Sequence, residues 1–194
     1  MSHILLVQGF CPLKQGYKKY KQLASSLEQF GPVSCVEYND ADYIEDIATR
    51  LEHLISENEF SYIICSGLAG SLILHMMRQN CKFGSATIVF CQDTPLHEMS
   101  KFSISVPFKF YLPLLQFFGI TSFTVRHLTN ISFAMTSDVP SVLYKYRNPM
   151  VVLYSVVGEP LDNELIRSFL KWHNGQSRIF KATRNPAKSL AKLF

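Results

Sequence analysis

Cys65 and Ser66 stand side by side at the end of an apolar run, and Asp93 and His97 lie four residues apart further on. A thiol or hydroxyl, an imidazole and a carboxylate are the parts of nucleophilic acyl transfer. One attacks the carbonyl, one takes the proton, and one orients the base. Gly67 and Gly70 follow the Cys65-Ser66 pair. A glycine-containing turn into a helix can also hold phosphate, but the chain has neither a P-loop lysine pattern nor G-x-G-x-x-G, so no nucleotide site is read. His3, His53 and His127 have no ligand spacing with one another or with cysteine, so no zinc site and no cofactor is expected. His75 falls on a helical pattern, where a packed imidazole is the ordinary outcome.

The stretch that would position these groups is 60–73, FSYIICSGLAGSLI. Phe60, Tyr62, Ile63 and Ile64 are aromatic or β-branched, which suits a strand covered on both faces. Gly67 and Gly70 allow a sharp turn and a close approach of the next helix. Leu68, Leu72, Ile73, Met76 and Met77 then recur at helical spacing.

The same alternation runs through the rest of the chain. Residues 3–7 (HILLV) predict a buried strand ending in the turn Gln8-Gly9-Phe10. Residues 17–30 place Tyr20, Leu23, Leu27 and Phe30 on one stripe of an amphipathic helix, which Gly31-Pro32 stops. Residues 33–38 predict a second strand. Asp42 with Glu45 makes a capping-box pattern before the stripe Ile44, Ile47, Leu51, Leu54 and Ile55. Strands follow at 85–91 and 150–156. A helix capped by Asp162 carries Leu165, Ile166, Phe169, Leu170 and Trp172, and 178–182 predicts a sixth strand. Strands alternating with helices predict a parallel sheet with helices on both faces.

Composition agrees. The chain has 194 residues, 47% hydrophobic and 18% charged, enough for one domain (1–194) with a real core. Its five cysteines are an odd number with no CxxC; Cys35, Cys65 and Cys91 fall in or at the end of strands as small hydrophobes. That pattern predicts a reducing, cytoplasmic setting rather than a disulfide framework. No basic leader precedes the first apolar run, so no signal peptide is expected, and no apolar run nears the ~20 residues of a membrane span. The net charge is +4. Arg178, Lys181, Arg184, Lys188 and Lys192 form a basic tail that could touch an acidic surface; the plainer alternative is a solvated end, and no nucleic-acid motif accompanies it.

Residues 96–148 interrupt the alternation. They hold Phe102, Phe108, Phe110, Tyr111, Phe117, Phe118 and Phe123 but only Glu98 and Asp138 as acids. Such a segment either packs on its own core or exposes a groove for a protein partner or an apolar ligand. The candidate contact residues are Phe108, Phe110, Tyr111, Leu114, Leu115, Phe117 and Phe118.

Taken together, the chain resembles the α/β-hydrolase superfamily, most of all its thioesterase branch. ILLVQGF resembles the strand that ends in the oxyanion turn. YKKYKQLASSLEQFGPVSCVEYN resembles the following helix and strand, and IATRLEHLISENEFSYIICSGLAGSLILHMMRQ resembles the helix, strand, nucleophile elbow and helix. SATIVFCQDTP resembles the strand whose end carries the thioesterase acid, which puts that role on Asp93. The resemblance implies a reduced three-layer α/β sandwich, with a mostly parallel sheet of five to six strands in the order 2-1-3-4-5-6. It also makes 96–148 a lid insertion.

One departure stands out. The elbow motif G-x-S-x-G is here Cys65-Ser66-Gly67-Leu68-Ala69, so the nucleophile position is Gly67, which has no side chain. The base should follow the last strand, near Arg184 or Asn185, yet no histidine follows His173. The other branch's acid position, in GEPLD, is occupied by Leu161. Gly67 and Asp93 therefore read as vestiges. The resulting expectation is a catalytically inactive protein, not an enzyme. It would serve as a protein-binding adaptor through the insertion, in a larger assembly such as a bacterial secretion complex. Two alternatives remain: a thioesterase or esterase with a relocated nucleophile, Cys65 or Ser66, served by His97 and Asp93; and a binder of small apolar ligands.

Overall fold

The computed structural model describes residues 2–7, 14–36, 43–66, 69–91, 117, 139–154, 171–173, 175–181 and 186–194. Six strands make one sheet: β1 (Ile4–Val7), β2 (Val33–Val36), β3 (Tyr62–Cys65), β4 (Thr87–Phe90), β5 (Met150–Tyr154) and β6 (Ser177–Lys181). Their order is β2-β1-β3-β4-β5-β6 and every neighbouring pair is parallel. This is the predicted order, with the sixth strand at the far edge. It follows from strands that are aliphatic on both faces: all four residues of β1 are buried.

Successive side chains in a strand face opposite ways, and the core divides accordingly. Leu5, Val7, Ile63 and Cys65 belong to one cluster, with helices α2 (Ile44–Glu57), α3 (Ala69–Arg78) and α4 (Val139–Lys145). Ile4, Leu6, Ile64 and Cys91 belong to the other, with α1 (Lys14–Leu27) and α5 (Pro186–Leu190). Helices on both faces make three layers. Each fully buried aliphatic contributes on the order of 1.5–3 kcal/mol, so the two clusters are the main source of cohesion.

The helix ends depart from the sequence reading in two places. The helix read at 17–30 is α1 followed by a 3₁₀ turn, Glu28–Phe30, closed by the Gly31 amide on the Glu28 carbonyl at 3.3 Å. Gly31 has φ +151°, and a Cβ there would lie 2.0 Å from the Ser2 carbonyl oxygen, so the chain reverses at a point only glycine fits. The N-cap of α2 is Tyr43, with no side-chain cap bond. Asp42, read as the cap, lies outside the described residues. Glu45 and Asp46 in the first turn place negative charge at the positive end of the helix.

Of the predicted insertion, Phe117 and 139–148 are described. Val142 and Leu143 of α4 are buried in the cluster that holds α3. The Tyr146 hydroxyl donates to the Cys81 carbonyl at 2.7 Å, and the Asn148 amide donates to the carbonyls of Gly84 and Ala86 at 3.0 and 3.1 Å. This end of the segment is stitched to the loop before β4. Cys35, read as a packed strand residue, is exposed because β2 is the edge of the sheet.

Candidate active site

In a parallel sheet the chemistry sits at the carboxyl ends of the strands, where the loops converge. Here β1 ends at Val7, β3 at Cys65 and β4 at Phe90. The Ser66 amide donates to the Val7 carbonyl at 3.4 Å, and the Ala69 amide to the Ser66 carbonyl at 3.2 Å. Ser66 thus lies between the end of β1 and the first turn of α3, at the strand-to-helix crossing read from FSYIICSGLAGSLI. The Cys91 amide donates to the Cys65 carbonyl at 2.8 Å, which brings the exit of β4 alongside.

The two candidate nucleophiles have different surroundings. Cys65 is fully buried and faces the α2–α3 core. Burial, with Cys91 close by, pushes its thiol pKa well above the ordinary value. A buried thiol kept protonated is a poor nucleophile. Ser66 is partly exposed at the same strand end. Gly67, Asp93 and His97 lie outside the described residues; Asp93 follows Cys91 by two residues and His97 by six.

The four described histidines are elsewhere. His75 is buried six residues into α3, roughly 9 Å along the helix axis from its start. Burial lowers its pKa, against a smaller raising effect from Glu45 and with a further lowering effect from Arg78. His53 is on the exposed side of α2, with Nδ1 3.1 Å from Glu57. His3 precedes β1; its Nε2 is 2.9 Å from the Ser34 hydroxyl and its ring lies 4.5 Å from that of Phe60. His173 precedes β6, buried, with Nδ1 hydrogen-bonded to the Ser177 hydroxyl. The last two lie toward the amino ends of their strands, opposite to Ser66. Among the described residues no group of three or more His, Cys, Asp or Glu could hold a metal ion. None of the described helices is long and apolar enough to cross a membrane.

Of the insertion residues assigned to partner contact, Phe117 is 84% exposed; Phe108, Phe110, Tyr111, Leu114, Leu115 and Phe118 lie outside the described residues. One supporting contact escaped the sequence reading. The Tyr20 hydroxyl donates to the Leu6 carbonyl at 2.9 Å in a buried setting. The helical stripe marked Tyr20 as apolar packing and carried no signal of a bond to β1.

No family model matches the sequence, and no curated protein matches it. Solved structures do. YbtT, a type II thioesterase of the yersiniabactin pathway solved as a serine-to-alanine mutant, aligns with a TM-score of 0.63 at 12% identity, over 100% of this chain and 90% of its own. The NocB thioesterase domain, in covalent complex with a fluorophosphonate nocardicin G analogue, aligns with a TM-score of 0.61 at 13% identity, over 98% and 93%. The N-formylmaleamic acid deformylase Nfo of Pseudomonas putida S16 aligns with a TM-score of 0.61 at 12% identity, over 99% and 90%. Lipases and esterases align similarly. These are enzymes, and that corrects the expectation of a protein that is not one. Gly67 removes a side chain at one position only; the Ser66 hydroxyl remains at the same strand end. At 12–13% identity the likeness speaks for architecture, and with strand order, parallel pairing and layers all in agreement the chain has the α/β-hydrolase fold.

Proposed function

We propose that the protein is an ester or thioester hydrolase with a relocated nucleophile, the Ser66 hydroxyl. One observation supports it most: Ser66 is a partly exposed hydroxyl at the carboxyl end of a central strand, tied to β1 and leading into α3. In this fold that is the place where an acyl carbon is attacked. Thioesterases, lipases and esterases among the similar structures favour the ester and thioester class. Cys65, the other candidate, is disfavoured by its burial and raised thiol pKa.

In this reading the Ser66 oxygen attacks the acyl carbonyl and His97 takes its proton. Asp93 holds the imidazole in the right orientation and stabilises its charge. The alcohol or thiol leaves with a proton from His97, and water then hydrolyses the Ser66 ester by the same route, releasing a carboxylic acid.

The test pairs turnover of short acyl thioesters and p-nitrophenyl esters with fluorophosphonate labelling. Wild type should turn over and label on the peptide containing Ser66. Ser66→Ala should lose label and at least about 10³-fold in turnover, while Cys65→Ala retains both. Absence of turnover in wild type, or full activity in Ser66→Ala, overturns the assignment.

A further inference from the structure

We infer a second small-molecule site, for a short-chain carboxylate, at the amino-terminal edge of the sheet. A cavity of ≈ 230 Å³ opens there, lined by Thr87, Met150, Val151, Gln176, Arg178 and Leu193 among others. Thr87 and Met150 are the first residues of β4 and β5, and Gln176 immediately precedes β6. Ser66 lies past the opposite ends of the strands. Four strand residues separate the edges, about 13 Å at ~3.3 Å per residue. The cavity is therefore separate from the candidate active site.

The cavity follows from a short cover. On this face β1 and β3 lie under α1, whereas α5 has only five residues and buries Leu190. Beyond α5 the chain runs across to Phe194, whose ring stacks on Phe30 at 4.6 Å. The carbonyl of Leu193 accepts from the Tyr62 hydroxyl at 3.4 Å, which fixes the tail as one wall.

The chemistry of the ligand comes from β6. Arg178 is in register with Val151, and Phe180 with Leu153. Residues in register on parallel strands share a face, and Val151, Leu153 and Phe180 all belong to the cluster on this side. Arg178 is thus a cation whose partner across the sheet, Val151, and whose next same-face neighbour along β6, Phe180, are apolar. Among the described residues no carboxylate pairs with it. A guanidinium beside an amide and a hydroxyl suits a planar carboxylate, which it can bind through two parallel hydrogen bonds. Val151 and Leu193, both packed on this face, suit a short hydrocarbon chain. The volume is below the roughly 300 Å³ at which pockets for drug-sized ligands begin, so the ligand has only a few carbons. This inference does not depend on the hydrolase reading; if that reading holds, the acid it releases is of this class.

The experiment is titration of protein labelled with ¹³C at its valine and leucine methyls, with butyrate, butyramide and inorganic phosphate. Butyrate should shift the Val151 and Leu193 methyls saturably. Arg178→Gln should weaken that binding by about tenfold or more, with unchanged Tm because Arg178 is exposed. Butyramide, lacking the charge, and phosphate, lacking the chain, should bind at least about tenfold more weakly. No saturable shift at Val151 or Leu193, equal binding of either control, or undiminished binding by Arg178→Gln overturns the site. Because binding is read without turnover, its failure leaves the Ser66 assignment to its own test.

Discussion

The Cys91 amide donates to the Cys65 carbonyl at 2.8 Å, yet the two side chains lie on opposite faces of the sheet, Cys65 in the α2–α3 cluster and Cys91 in the α1 cluster. Their backbones are hydrogen-bonded, and their side chains leave the sheet in opposite directions. A disulfide needs Cβ atoms about 3.5–4.5 Å apart and directed at each other, so oxidation should leave this pair unbridged. Cys81 is also buried, with its pKa pushed up to about 11, chiefly by burial and then by Glu52. Timed alkylation with peptide mapping should therefore find Cys35 fast and Cys65, Cys81 and Cys91 at least about a hundredfold slower. A Cys65 that labels as fast as Cys35 would contradict its placement in the core.

The Tyr20 hydroxyl on the Leu6 carbonyl predicts a cost with a location. Tyr20→Phe removes a buried hydrogen bond and little volume, which costs roughly 1–2 kcal/mol. Chemical denaturation checks the magnitude. Because the bond holds the strand that accepts from Ser66 through Val7, any turnover should fall in kcat more than KM changes. An unaltered midpoint would show that the bond does not contribute to stability.

Two glycines give a paired test of backbone constraint. At Gly31 an added Cβ would lie 2.0 Å from the Ser2 carbonyl oxygen; at Gly84, φ +57°, it would meet nothing within 4 Å. Gly84→Ala should cost only the left-handed conformation, about 1–2 kcal/mol. Gly31→Ala should cost clearly more, since the Ser2 segment must move as well. Equal destabilisation would mean that Ser2 yields freely.

Acid should weaken the fold through two imidazoles. Burial holds the pKa of both His75 and His173 below the ordinary 6.5. Both are neutral in the folded state at pH 7. As pH falls below 6.5, the unfolded chain takes up protons that the folded chain resists, so stability drops until the lower folded pKa is passed and then levels. Each such group lowers stability by up to about 1.4 kcal/mol per pH unit within that window. Unfolding free energies at several pH values between 7.5 and 5 should show the slope. His173→Gln should flatten part of it; a slope identical to wild type would remove His173 as a source.

The architecture was legible because each strand is a short aliphatic run with a helical stripe after it. Ile4 to Val7 and Tyr62 to Cys65 read as buried on both faces, and a strand buried on both faces needs a layer of helices on each. The site was legible only in part. Cys65 and Ser66 are adjacent in sequence, but their difference depends on which one the sheet turns into the core, and that is a tertiary fact. Gly67 invited the inference that chemistry had gone, because a motif is read at fixed positions while the fold presents a region. The bond between His173 and Ser177 has helical spacing but joins a helix end to a strand start. No periodicity predicts it. The cavity beneath Leu193 arises from what α5 leaves uncovered, and an absence of cover has no sequence signature.

The strand order has a consequence for synthesis. β1 is flanked on both sides once the chain has emerged as far as Cys65, since it pairs with Val33–Val36 and with Tyr62–Cys65. From there β4, β5 and β6 join the same margin one after another. A nascent chain paused on the ribosome anywhere beyond β3 already carries its final β2 edge on one side, and the next strand adds only to the other. Assembly can therefore proceed in the direction of translation, without an earlier strand having to be released to admit a later one.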